Sequence, residues 1–100
     1  MITVVGYQKI YEGKWEALAE LNKRWDDFEE RLGFPPEKRC RCQFGGHDSG
    51  TILLLREWES MSAMEATYAK AMADPKWEEL WAGTDGIIES GQWEIYMEMP

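Results

Sequence analysis

Apolar positions recur along this chain with two different periods. Read from the N-terminus, those periods predict strand, helix, strand, strand, helix, strand. The first strand spans Ile2 to Tyr11, rich in β-branched and aromatic residues, with Ile2 and Val4 pointing one way and Val5 and Tyr7 the other. Glu12-Gly13 is the turn that releases it. From Lys14 to Leu32, Trp15, Leu18, Leu21, Trp25, Phe28 and Leu32 recur at steps of three or four, one stripe on a helix. Glu16, Glu20, Lys23, Asp27, Glu30 and Arg31 occupy the opposite, solvated face, with Glu20/Lys23 and Asp27/Arg31 at helical pairing distance. Gly33 suits the position after the helix, and Pro35-Pro36 cannot continue it.

The second strand, Arg39 to Phe44, sets Cys40, Cys42 and Phe44 against Arg39, Arg41 and Gln43, the alternation of an edge strand or one with a wet face. Residues 45–50 then form a glycine-rich hairpin loop with His47 exposed at its tip. In the third strand, Thr51 to Trp58, Ile52 and Leu54 oppose Leu53 and Leu55. Ser62 and Glu65 have capping-box spacing for a helix whose apolar face is Met61, Met64, Tyr68 and Met72. Asp74-Pro75 opens a further short helix with Trp77, Leu80 and Trp81 on its inner face, and residues 83–86 end it. The last strand, Gly91 to Met99, alternates Trp93, Ile95, Met97 and Met99 against Gln92, Glu94, Tyr96 and Glu98.

This order is the ferredoxin-like βαββαβ plan: an α+β fold with an antiparallel sheet, built as a single domain over residues 1–100. Helices can cover one face of such a sheet, yet both central strands are apolar on both faces. A partner chain is the expected cover, and a homodimer the expected assembly, through the open sheet face and the last strand near Trp93, Ile95 and Met97.

Nineteen acidic against 11 basic residues leave a net charge of −8, which argues against nucleic acid and anionic membrane as partners. No apolar run approaches the roughly 20 residues of a membrane span, and the N-terminus lacks the pattern of a signal peptide. A soluble cytoplasmic protein is expected. Cys40 and Cys42 share a strand face, too far apart to bridge in extended geometry and too few to hold a metal, so buried free thiols are expected and no metal or cofactor. The loop glycines lack the Lys-Ser/Thr ending and following helix of a phosphate loop. His47 there is poorly placed to activate a nucleophile, and no catalytic residue is assigned.

Three segments carry a resemblance. Tyr11-Glu12-Gly13-Lys14-Trp15, Leu55-Arg56-Glu57-Trp58-Glu59-Ser60 and Ala73-Asp74-Pro75-Lys76-Trp77 resemble the first-strand ending, third-strand ending and Asp-Pro-x-Trp helix opening of the dimeric α+β barrels. The likeness is to the NIPSNAP-like branch and its antibiotic-biosynthesis-monooxygenase relatives. It implies two sheets packed face to face as a barrel. That superfamily includes cofactor-free monooxygenases acting on aromatic polyketides, haem-degrading enzymes, small isomerases and cyclases. The haem-degrading branch carries a functional histidine on the helix after the third strand; the stretch from Met61 to Trp81 has none, which argues against haem.

The fold would gather Tyr7, Tyr11, Trp58, Tyr68, Trp77 and Trp81 around one cavity, with Gln8, Tyr7 or Arg56 in polar roles. Of Arg56 and Glu57, one must face a buried side; an ion pair or a snorkelling side chain is the plain explanation for an arginine there. Large rings also fill cores and dimer interfaces without any ligand. The function expected is binding of a small apolar or aromatic molecule, with cofactor-independent monooxygenation as its enzymatic form. The alternatives are a non-catalytic binding or regulatory dimer module and a ligand-free adaptor.

Overall fold

A computed structural model describes residues 1–46 and 50–100; the expectation for His47 lies outside the described residues. The elements are β1 (Ile2–Ile10), α1 (Trp15–Leu32), β2 (Glu37–Arg41), β3 (Ile52–Trp58), α2 (Met61–Ala73), α3 (Lys76–Ala82) and β4 (Ile88–Met97). They form the ferredoxin-like plan, a four-stranded antiparallel sheet in the order β2-β3-β1-β4. Among the described residues no helix is long and apolar enough to cross a membrane.

All three helices lie on one face. Ile2, Val4, Ile52, Leu54 and Trp58 point into it and are buried beneath Leu18, Leu21, Phe28, Met64, Ala71 and Leu80. Gly33, in the left-handed conformation, ends α1 with the N–H of Phe34 donating to the Glu29 carbonyl. This reversal drops the Phe34 ring against Trp58 and Tyr68, at centroid distances of 5.5 and 5.2 Å.

Several boundaries depart from the sequence reading. β2 runs from Glu37 to Arg41 instead of Arg39 to Phe44, because pairing with β3 begins directly after Pro35-Pro36, with Glu37 opposite Arg56. The cap of α2 is Ser60, not Ser62: Ser60 is extended as the chain leaves β3, and its hydroxyl accepts from the Ala63 N–H at 3.1 Å. Ala71 takes the inward position expected of Met72, which is exposed. Asp74 opens α3 as expected, accepting from the Lys76 N–H at 2.9 Å, and Arg31 pairs with it instead of with Asp27. The Lys76 N–H and Arg31 together hold this carboxyl below its ordinary pKa.

The register of β4 sets a further difference. Trp93, Ile95 and Met97 pair with Gly6, Val4 and Ile2, so they share the helix-side face and not the open one. They stay exposed because the helical layer stops short of this edge strand. The open face instead carries Val5, Tyr7, Leu53, Leu55 and Cys40 at its centre, with Gln92, Glu94 and Tyr96 from β4 beside them. Cys40 and Cys42 are not joined in a disulfide, and both are half-buried where full burial was expected.

Trp93 lies flat on Gly6, where any side chain would collide with the indole. Gly6→Ala should therefore displace the ring and destabilise the fold by roughly 1–3 kcal/mol, the usual range for overpacking. Thermal unfolding and a red shift of tryptophan emission check this; an unchanged midpoint and spectrum would refute it.

Candidate functional site

The helix-side face of β3 reads Ile52, Leu54, Arg56, Trp58, and the arginine interrupts the apolar row. The core accordingly divides into two clusters, one on Ile52 and Leu54 and one on Trp58, with Trp25 packed against both. Arg56 is 6% exposed. A charge so buried needs counter-ions. Its Nη1 and Nη2 donate to the two carboxylate oxygens of Glu29 at 3.0 and 2.8 Å, a bidentate pair, and Glu37 lies 3.7 Å from Nη2. Glu37 also pairs with Arg39 at 3.1 Å, and Arg39 donates to both oxygens of Asp26 at 2.9 and 3.2 Å. The network thus ties α1, β2 and β3 together beneath Phe34, whose ring lies 5.2 Å from the Arg56 guanidinium.

Beside this network a cavity of ≈ 90 Å³ opens between the helices and the sheet. Its wall is aromatic. Trp25, Trp77 and Trp81 meet edge to face with centroids 5.4 to 5.8 Å apart, and Tyr68 stands 6.3 Å from Trp77. Trp93 on Gly6 forms the floor, and Gln8, Asn22, Arg56 and Thr84 add polar groups. Trp81, 47% exposed, makes the rim.

Of the residues expected around one cavity, Gln8, Arg56, Tyr68, Trp77 and Trp81 meet here. Three do not line it. Tyr7 projects from the opposite sheet face, Tyr11 is exposed beyond the end of β1, and Trp58 is sealed in the core between Phe34 and Tyr68. The sequence reading missed Trp25, Glu29, Glu37 and Trp93 as lining residues. Glu29 was signalled by its place four residues after Trp25, a carboxylate at the margin of an apolar stripe. Trp93 needed the strand register.

Burial pushes the Glu37 carboxyl above its ordinary 4.5, although Arg56 and Arg39 pull it down. Burial likewise raises the Tyr68 phenol, against the opposing pull of Arg56. Among the described residues no group of three or more His, Cys, Asp and Glu is placed to hold a metal ion.

No family model and no curated protein matches this chain. Solved structures do. An uncharacterised NIPSNAP-like domain protein from Burkholderia xenovorans superposes with a TM-score of 0.79 at 14% identity, covering 98% of this chain and 84% of that one. A NIPSNAP family protein from Agrobacterium tumefaciens gives 0.78 at 17%, covering 98% and 92%. SnoaB, a cofactor-independent oxygenase from Streptomyces nogalater, gives 0.71 at 13%, covering 99% and 93%. The chain has the dimeric α+β barrel fold. At such identities the likeness fixes the fold and leaves the chemistry to the site.

The two glutamates that reach Arg56 should respond differently to neutralisation. Glu29→Gln removes the bidentate partner of a buried cation and should destabilise by about 2–4 kcal/mol, near the range for broken buried pairs. Glu37 holds its proton more tightly folded than unfolded. It therefore adds stability below about pH 4.5 and loses that contribution as pH rises through its folded value. The stability of wild type relative to Glu37→Gln should fall as pH is raised from about 4 to about 7. Chemical denaturation across that window tests the sign, and a difference that grows with pH overturns it.

Proposed function

We propose that this chain is one subunit of a homodimer that binds a small apolar or aromatic molecule in the cavity between its helices and its sheet. The observation that carries the binding reading is the aromatic wall facing a few fixed polar groups, the usual make-up of a small-molecule site. The open sheet face supports the dimer: Val5, Leu53 and Leu55 form an apolar strip there, which the sheet of a second copy would cover.

A catalytic reading draws on Glu37 and on the likeness to SnoaB. A buried carboxylate of raised pKa beside an apolar cavity suits a general base. Removing a proton from an activated CH2 of an aromatic substrate gives a carbanion that reacts with O2 directly. The CH2 becomes C=O, and the second oxygen atom leaves as water with the two hydrogens. The substrate supplies the electrons, so no cofactor enters. The small volume favours a compact ligand, since drug-sized ligand sites occupy about 300–1,000 Å³, and the same cavity also serves the non-catalytic alternative.

Light scattering at micromolar concentration should report about twice the 11.7 kDa chain mass; a monodisperse monomer would sink the dimer. Titration with neutral aromatic compounds should change tryptophan emission, and Tyr68→Ala should weaken binding about tenfold. Oxygen consumed one-for-one with an anthrone, and lost in Glu37→Gln, would establish the enzyme; binding without oxygen uptake would leave the non-catalytic module.

A further inference from the structure

The buried guanidinium of Arg56 is not fully hydrogen-bonded. Both of its terminal nitrogens are engaged by Glu29, but Nε–H, also buried, has no partner. Buried donors are nearly always satisfied, so an orphan on a side chain that lines a cavity points to a missing acceptor. Among the described residues the other buried side-chain donor without a partner, the indole N–H of Trp58, belongs to a residue that does not line this cavity.

The charge around that donor limits what the acceptor can be. Asp26 and Glu29 from α1 and Glu37 from β2 face Arg39 and Arg56, three carboxylates on two guanidiniums. With all five ionised the cluster already carries one excess negative charge. It sits in a chain whose net charge is −8. A second anion placed against it meets carboxylates that are fixed in position and poorly screened by solvent. A neutral oxygen takes the proton without adding charge. Tyr68 from α2, whose phenol lies beside the guanidinium and stays protonated at neutral pH, offers a second donor there.

We propose that the cavity selects an aromatic ligand bearing an uncharged acceptor oxygen, a carbonyl or un-ionised hydroxyl, that takes the Nε–H of Arg56, and that it discriminates against the matching carboxylate. This rests on the binding function proposed above and gives it a substrate class. The aromatic wall holds the body of the ligand, and Arg56 fixes which end points inward. The excess carboxylate of the neighbouring cluster is what makes the site selective.

Three probes of similar ring size separate the terms: tetralin, 1-tetralone and 1-naphthoate, with dissociation constants measured by ligand-observed NMR at pH 7. Tetralone should bind about tenfold tighter than tetralin, the effect of one hydrogen bond to a charged donor, and naphthoate at least tenfold weaker than tetralone. Glu37→Gln leaves two carboxylates on two guanidiniums and should narrow the gap between naphthoate and tetralone about tenfold. Arg56→Lys keeps the charge but has no Nε, and should reduce tetralone to the affinity of tetralin. Equal binding of tetralin and tetralone to the wild type, or naphthoate as the tightest probe, overturns the selectivity while the binding function stands. Failure of all three probes to bind overturns both.

Discussion

A guanidinium buried beneath a helical layer has to bring its counter-ions with it, and much of this molecule is arranged around that requirement. Arg56 stands where an aliphatic residue would have continued the row from Leu54 to Trp58. Its bidentate grip on Glu29 fixes the rotation of α1 above the sheet, and its approach to Glu37 matches the register that pairs β2 with β3. Arg39 and Asp26 extend the same network to the surface. Such a cluster is weak evidence of stability, because desolvation offsets much of the attraction. Its structural effect is a seam: the apolar core closes on both sides of Arg56 and leaves space beside it.

Periodicity made most of the framework legible. The α1 stripe, the two-sided strands and the Asp74-Pro75 opening of α3 are local patterns, and local patterns survive into the fold. What periodicity could not resolve was phase at the ends of elements. Ser62 and Glu65 match a capping box by spacing, but the backbone turns into α2 two residues earlier, at Ser60. The apolar face of α2 follows Ala71, which is fully buried, and not the larger Met72, which is exposed.

The site was legible in proportion to how much of it is local. Arg56 draws notice as a charge at an inward strand position, and Tyr68, Trp77 and Trp81 lie on inward helical faces. Tyr7 misled because alternation assigns it to a face without saying which face the helices cover. Glu37 and Trp93 reach the cavity only through pairing with β3 and β1, information held by pairs of distant residues. The solved structures of this fold include proteins of uncharacterised function as well as an oxygenase. Differences among them therefore have to be sought in side chains such as these.

The indole resting on Gly6 ties two positions far apart in the chain into one unit of volume. As related sequences diverge, residue 6 can acquire a side chain only where residue 93 gives up its ring, and a tryptophan at 93 can persist only over a glycine. Those two sites should drift together, and the cavity floor would change in discrete steps instead of by gradual repacking.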